Sequence, residues 1–228
     1  LLSGLIGIGG GLIIVPTLSW LLLHQGMTLS IAMQYAIGTS LACILFTASS
    51  AVFHHRRQGN IDVSLLKNVA PGLVLGTLLG LYIGHYASGQ FLQKAFGGFT
   101  LLMSLNMLRP HVESATPRIP APWISATVGF ITGLIGATLG LGGGVILVPV
   151  FTYYRLPMRH VVGTSSSCGF FVSLVAMLNS LLPGHGGQPL PLPWTTGSIY
   201  WPAVLGIASM SMLCTPIGVR LATVLPGA

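Results

Sequence analysis

Long apolar segments alternate along the chain with short stretches that are polar or rich in glycine and proline. About 20 apolar residues suffice for a helix to cross the hydrocarbon core of a bilayer, and 228 residues allow roughly seven or eight such spans. The apolar runs lie at about 1–23, 29–53, 63–86, 91–108, 123–154, 160–182 and 196–219. The pattern predicts an all-α integral membrane protein.

Composition excludes the main alternatives to a membrane protein. Nine Lys or Arg and two Asp or Glu make 5% of the chain charged, whereas 52% is hydrophobic; a soluble domain has about 25% charged residues. Eleven charges could not cover the surface of a soluble fold of this size. The net charge of +7 reflects scarce acids, and no dense Lys/Arg tract exists to follow a phosphate backbone. We therefore expect the lipid bilayer as a partner and no nucleic acid.

The chain contains an internal duplication. Residues 7–16 (GIGGGLIIVP) and 140–149 (GLGGGVILVP) agree at seven of ten positions, at an offset of 133. Residues 38–51 and 163–176 agree at six of fourteen, at an offset of 125. Two blocks that recur in the same order predict two repeats. We place the first repeat at 1–109, a cytoplasmic linker at 110–122 and the second repeat at 123–228.

The two repeats differ at the ends of the chain. The second has an apolar stretch from Trp123 ahead of Gly140, whereas the first has only six residues ahead of Gly7. The first also continues through 91–108, a segment without a counterpart after Gly218. We expect the chain to be clipped at both ends, lacking part of its first segment and the last helix of the second repeat.

The first and fifth segments carry a Gly-Gly-Gly run followed by a proline. Each glycine weakens a helix by about 1 kcal/mol relative to alanine, and proline removes a hydrogen bond. We therefore predict that both segments are broken, with Pro16 and Pro149 as helix-breaking residues. Each repeat would be a broken, re-entrant segment followed by about three transmembrane helices.

Positive charge in the loops predicts how the repeats are oriented. Arg or Lys occurs in loops 54–57, 109–118 and 155–159, and is absent from 24–28, 85–90 and 183–195. Basic loops face the cytoplasm. Segment 123–154 then begins and ends on the same side, so 160–182 runs opposite to its sequence partner 29–53. The repeats are predicted to be inverted.

Inverted repeats with broken segments are typical of secondary transporters. A broken helix leaves N–H groups unpaired at the start of its second half, and these groups attract anions. The alternative is that the glycines only permit close helix packing; the doubled pattern favours the site. The predicted substrate-binding glycines are Gly9, Gly10, Gly11, Gly142, Gly143 and Gly144.

The second block supplies candidate side chains for the same site. Thr39, Cys43 and Phe46 are spaced i, i+4, i+7 and share one helix face, as do their partners in the other repeat. The alternative is that the hydroxyls bond within their own helices and the cysteines only pack. The predicted walls of the site are Thr39, Ser40, Cys43 and Phe46 in one repeat, and Thr164, Ser165, Cys168 and Phe171 in the other.

No catalytic, metal or cofactor site is predicted. The three cysteines form no C-x-x-C pair, and Asp62 and Glu113 are the only acids, both near loops. Gly72, Gly76, Gly80 and Gly84 recur with a period of four, which favours close helix contact.

The motifs resemble those of the TauE/SafE family of sulfite and organosulfur anion exporters. The resemblance rests on G-x-G-G-G-x-x-x-x-P at 7–16 and 140–149, G-T-S at 38–40 and 163–165, and His54 with Gly59–Asp62. The second copy departs from the first because Asn179 stands in register with His54 and no Gly-Asn-Ile-Asp follows.

The resemblance implies a secondary transporter in a bacterial cytoplasmic membrane. It would export a small inorganic or organosulfur anion, such as sulfite or sulfoacetate, by alternating access, with the anion held between the two Gly-Gly-Gly segments. A passive anion channel is the alternative. An intramembrane enzyme would need a nucleophile–base pair or a metal cluster at depth, and the apolar segments show neither.

Overall fold

The computed structural model describes residues 10–107, 120–181 and 194–211, and most of these residues are helical. The helices are α1 (Gly11–His24), α2 (Leu29–Arg57), α3 (Val63–Tyr86), α4 (Gly89–Met107), α5 (Pro122–Leu139), α6 (Gly144–Tyr153), α7 (Met158–Leu181) and α8 (Trp201–Ser211). A two-stranded hairpin, β1 (Thr195–Thr196) and β2 (Ile199–Tyr200), precedes α8. The prediction of an all-α membrane protein is confirmed.

Four helices of the described part are long and apolar enough to cross a membrane, namely α2, α3, α5 and α7. Three others, α1, α6 and α8, are apolar but shorter. α2 and α7 are the most deeply buried of the four spans. They form the centre of the molecule, and the functional cavities lie along them.

Two segment boundaries differ from the sequence prediction. The basic stretch 54–57, predicted as a loop, forms the last turn of α2, where cations stabilise the negative end of the helix dipole. The segment predicted from 196 begins with the hairpin, whose turn contains Gly197 at φ 59°. The helix there starts only at Trp201.

The predicted break in segment 123–154 is present, and glycines produce it. α5 ends at Leu139, Gly140 and Gly142 have φ of 72° and 68°, and α6 begins at Gly144. A β-carbon on Gly136 would lie 2.7 Å from the carbonyl oxygen of Gly142. The chain after α5 therefore lies against the last part of that helix. We name residues 140–143 the glycine turn.

The prediction that Pro16 and Pro149 break their helices is wrong. Pro16 lies inside α1 and Pro149 inside α6. Each lies beyond the first turn, so its helix loses one backbone hydrogen bond there but continues past the proline. The backbone departs from helical geometry at the glycines, with Gly10 at φ 73° preceding α1; residues 1–9 lie outside the described part.

The glycine period on α3 serves helix packing. Added β-carbons on Gly72, Gly76 and Gly80 would overlap backbone carbonyls of Ala126, Phe130 and Leu134 on α5. Gly129 and Gly133 on α5 meet α3 in the same way. The two helices are therefore in backbone contact, and the close-packing interpretation of this stripe is confirmed.

α2 and α7 run in opposite directions and exchange equivalent contacts. The hydroxyl oxygen of Thr39 on α2 accepts from Tyr200 N at 3.0 Å, and that of Thr164 on α7 accepts from Asp62 N at 3.2 Å. Each of these N–H groups belongs to the residue directly before the next helix of the opposite repeat.

The glycine preceding each of these threonines takes part in the same exchange. A β-carbon on Gly38 would meet the backbone and side chain of Ser198, and one on Gly163 would meet the backbone of Asn60. These reciprocal contacts agree with two inverted repeats. The repeat boundaries and the orientation in the membrane stay predictions.

Candidate functional site

One face of α2 borders two cavities in succession. Gln34, Ile37, Gly38 and Leu41 line the first; Ile44, Thr47, Ala48 and Ala51 line the second. The spacing of three and four residues places both sets on a single helix face. Leu41 and Ile44 are about 4.5 Å apart along the axis. The two cavities therefore follow one another along α2.

The outer cavity, as we name the first, has a volume of about 330 Å³. It lies where α2 begins and α3 ends, the end predicted to face outside. Polar lining groups come from five parts of the fold (α2, α3, α5, α7 and the hairpin) and include Gln34, His85, Thr138, Asn179, Ser180 and Ser198. Its described lining contains no Lys, Arg, Asp or Glu.

The sequence prediction missed most of the outer cavity. Gln34, His85, Ser180 and Ser198 were not among its candidate site residues. The available signal was polar side chains within apolar segments, such as Gln34 on α2 and Asn179 on α7.

The glycine cavity, as we name the second, measures about 20 Å³. Its lining combines α2 with the glycine turn and α7: Ile44, Thr47, Ala48, Ala51, Gly142, Gly143, Gly144, Ser165, Ser166 and Gly169. This volume accommodates about one water molecule. Of the predicted substrate-binding residues, the structure brings Gly142, Gly143, Gly144 and Ser165 together here.

The glycine turn separates the two cavities. The Ser40 hydroxyl donates to the carbonyl oxygen of Gly140 at 2.8 Å. A β-carbon on Gly140 would lie 3.0 Å from Ile37 Cα, and one on Gly142 would lie 3.3 Å from an Ile44 methyl group. The turn therefore lies against α2 at the level between the cavities. Only glycine meets both demands at Gly140, a positive φ and close backbone contact.

Ser165 has the only hydroxyl of the glycine cavity that lacks a partner in the described structure. The side chain is fully buried, and its oxygen makes no hydrogen bond. The Thr47 and Ser166 hydroxyls instead donate to carbonyls of their own helices, those of Cys43 and Val162. A buried hydroxyl without a partner costs about 1–3 kcal/mol, so Ser165 is available to a ligand.

The start of α6 adds hydrogen-bond donors to the same cavity. No side chain caps this helix, which begins at Gly144 after Gly143. The first N–H groups of a helix have no acceptor within it and carry partial positive charge. With the Ser165 hydroxyl, they make the glycine cavity a neutral site rich in donors, which suits a small anion.

The first predicted wall points elsewhere. Cys43 packs with residues of β2 and α8, including Ile199 and Val204, and Phe46 packs against that cluster. Thr39 is buried and accepts from Tyr200. Thr39, Cys43 and Phe46 therefore contact the hairpin and α8, whereas Ser40 contacts the glycine turn.

The second wall also lies outside the two cavities, apart from Ser165. Thr164 bonds the backbone of Asp62, Cys168 is buried in the main core, and Phe171 is 37% exposed. Thr164, Cys168 and Phe171 do not line either of the two described cavities, and their contact with substrate stays a prediction. Asp62 itself caps α3, accepting from Leu65 N at 3.0 Å.

The first Gly-Gly-Gly run is described only in part. A β-carbon on Gly11 would lie 2.9 Å from the Cα of Leu141. A β-carbon on Gly10 would lie 3.6 Å from Ile14 Cδ1, and Gly9 lies outside the described residues. The first run therefore reaches the second at Gly11 and the glycine turn.

A bundle of apolar helices, with consecutive cavities beside an interrupted helix, has the architecture of a multi-pass membrane transporter. Known proteins agree. The chain matches the sulfite exporter TauE/SafE family over residues 1–228. It belongs to this family.

Relatives similar to this chain are named as probable membrane transporters. A protein from Haemophilus influenzae is 33% identical over 99% of this chain and 85% of its own length. YunE from Bacillus subtilis is 27% identical over 80% of this chain and 74% of its own length. MJ0441 from Methanocaldococcus jannaschii is 23% identical over 97% of this chain and 81% of its own length. No solved structure matches the chain.

These names indicate a transporter rather than an enzyme.

Proposed function

We propose that the protein exports a small oxyanion, sulfite or an organosulfonate such as sulfoacetate, across a bacterial cytoplasmic membrane by alternating access. One observation carries the proposal: the buried, unpartnered Ser165 hydroxyl lies in a cavity with the uncapped start of α6. The anion site of this proposal comprises Gly142, Gly143, Gly144 and Ser165.

The chemistry of these groups fits an anion that must shed water. A charge buried without partners costs far more than a buried neutral group. Here N–H and O–H donors replace the hydration shell, with the helix dipole oriented favourably. Since no fixed positive charge lines the cavity, the empty site incurs no penalty from a buried unpaired ion.

The size of the cavity supports alternating access over a permanently open channel. About 20 Å³ accommodates one water, so a larger anion enters only when the walls separate. The glycine turn blocks the route from the outer cavity, and Leu41, Ile44 and Leu141 beside it are almost fully buried. In our proposal the turn and α6 move relative to α2 when the site opens.

The test is anion flux in proteoliposomes, comparing sulfite, sulfate and sulfoacetate. We expect saturable flux of at least one anion and counterflow of labelled anion against an unlabelled gradient. Ser165→Ala should raise the half-saturating concentration roughly 10- to 150-fold, the effect of losing one hydrogen bond to a charged group.

Ser166→Ala is the matched control. Ser166 lines the same cavity, but its hydroxyl is bonded to Val162 O at 2.8 Å, so we expect less than a threefold change. Equal effects of the two variants would remove the assignment of Ser165. Flux that never saturates and shows no counterflow would identify a passive channel.

A further inference from the structure

The repeat register extends beyond the two sequence blocks. Within α2 and α7 the offset is 125. In the loops after these helices, the contacts of Asn60 and Asp62 match those of Ser198 and Tyr200, an offset of 138. The left-handed glycines Gly59 and Gly197 differ by the same number. Gly59, Asn60 and Asp62 in the loop after α2 thus have counterparts in the loop after α7.

Applying this register to the outer cavity defines a second set of residues. Five residues that line the outer cavity have counterparts at the opposite end of the molecule. Gln34 corresponds to Arg159, Gly38 to Gly163, Asn179 to His54, Ser180 to His55 and Ser198 to Asn60.

The counterparts lie close together in the structure. Gly163 packs on the backbone of Asn60, whose N–H donates to the carbonyl oxygen of His55 at 3.0 Å. Arg159 lies one turn before Gly163 and so on the same face of α7. His54 precedes His55 in the last turns of α2.

The inner part of this end is closed in the structure, whereas the Arg159 side chain is exposed and His54 is half-buried. His55 is 2% exposed and Asn60 7% exposed. Neither ring nitrogen of His55 has a hydrogen-bond partner among the described residues. A buried imidazole without partners is costly, and the cost is relieved when water or an anion reaches it.

We propose that the protein also opens at this end, to an inner cavity lined by Arg159, Gly163, His54, His55 and Asn60, and that this cavity captures small oxyanions from the cytoplasm. The inference rests on the proposed transport function. The outer cavity offers Gln34, Asn179 and Ser180 at the register positions where the inner cavity has Arg159 and two histidines.

The unequal charge of the two cavities makes anion capture differ between the two faces. A fixed positive charge at the mouth of a cleft concentrates anions there. The inner cavity holds the Arg159 guanidinium, whereas neutral groups dominate the outer lining. The half-saturating anion concentration should therefore be lower at the inner face, while the electrochemical gradient sets the direction of net transport.

The first test measures the half-saturating concentration of sulfite separately at each face, in proteoliposomes of known orientation. Arg159→Gln replaces the arginine by the residue type of its outer-cavity counterpart, Gln34. We expect about a fivefold rise in the half-saturating sulfite concentration at the cytoplasmic face only, the effect of losing an exposed charge contact. Arg159→Lys should keep the value of the parent protein. Arg155→Gln removes a charge from the same loop and should change neither face. Equal effects of Arg155→Gln and Arg159→Gln, or an equal change at both faces, would overturn the proposal.

The second test measures access independently of flux. His55→Cys should react with a membrane-impermeant maleimide added from the cytoplasmic side, and Ser180→Cys only from the outside. The parent chain measures background labelling of the native cysteines. No cytoplasmic labelling of His55→Cys in a protein with active flux would disprove the inner cavity. Labelling without flux of any tested anion would retain the cavity and reject the proposed function.

Discussion

Serine and threonine hydroxyl groups have different roles in this protein, and their hydrogen-bond partners distinguish these roles. The Thr39 and Thr164 hydroxyls accept from backbone N–H groups of the opposite repeat. The Ser40 hydroxyl holds the glycine turn. Ser165, the counterpart of Ser40, has no partner. The asymmetry within this pair is what separates a structural hydroxyl from a candidate ligand.

Thr39→Val and Thr164→Val should therefore reduce stability. Each valine leaves a buried N–H, of Tyr200 or Asp62, without an acceptor, at a cost of about 1–3 kcal/mol. We expect a lower midpoint of thermal unfolding in detergent and an unchanged half-saturating anion concentration. The threonine-to-serine variants should restore the midpoint. Thr127→Val is the control, because Thr127 is exposed and bonds only its own helix. A normal midpoint with weakened anion binding would return both threonines to the substrate site.

Arg155 occupies a backbone conformation that suits glycine. Its φ is 61°, and the N–H groups of Arg155 and Leu156 bond Thr152 O and Phe151 O after α6. Gly26 ends α1 with the same pattern at φ 84°. A non-glycine residue here costs about 1 kcal/mol.

We therefore expect Arg155→Gly to raise the thermal unfolding midpoint of the purified protein. Arg155→Ala, which removes the charge without relieving the backbone, is the control. A gain from alanine equal to that from glycine would assign the effect to charge.

The sequence predicted the site only in part, and the reason is visible at this scale. The glycine run and Ser165 were identified because the repeat singled them out. Thr39, Cys43 and Phe46 were placed on a wall because they share a helix face, but periodicity does not specify which neighbour that face meets. That face of α2 contacts the hairpin and α8. A local sequence pattern does not predict a contact such as that of Thr39 with Tyr200, which are 161 positions apart.

At the scale of helices, backbone contact between α3 and α5 positions the glycine turn. α5 leads directly into Gly140, and the Thr138 hydroxyl near its end donates to Gly80 O on α3 at 2.9 Å. The period of four glycines predicted such contact without identifying the partner helix. Its consequence is that α5 has little freedom to move relative to α3.

Gly76→Ala should disrupt this pair. The added methyl group would overlap the Phe130 carbonyl, and backbone cannot yield as a flexible side chain does. We expect destabilisation of about 1–3 kcal/mol, as for overpacking in a tight core, seen as a lower yield of monodisperse protein and a lower unfolding midpoint. Gly97→Ala on α4 has open space around its β-carbon and should leave both unchanged. Equal behaviour of the two variants would mean that the helices are not in backbone contact.

At the scale of the whole molecule, the reciprocal contacts of the repeats join opposite ends of the molecule. Gly38 and Thr39 bind the loop before α8, and Gly163 and Thr164 bind the loop before α3. Each repeat thus holds the loop of the other beside one end of α2. Sequence identity revealed the duplication, but charge alone predicted the inversion, because like blocks carry no information about direction.

The orientation of the helices in the membrane gives the remaining prediction. Loop 58–62 joins α2 to α3. It lies at the same end of the molecule as the start of α7, because Gly163 contacts Asn60. The basic loops place that side in the cytoplasm. Single cysteines at Gln58 and Met158 should therefore react with an impermeant maleimide only after permeabilisation of cells.

Cysteines at Gln25 and Gln90 should react in intact cells, because Gln25 directly follows α1 and Gln90 lies in the first turn of α4, at the other end of the molecule. Both side chains are exposed, as is Gln58, whereas Met158 is half-buried; labelling at Gln25, Gln58 and Gln90 therefore reports sidedness rather than burial. The parent chain gives the background from its native cysteines. Labelling of Met158→Cys in intact, sealed cells would contradict the orientation, and it would remove the argument that α5 and α6 enter and leave the membrane on one side.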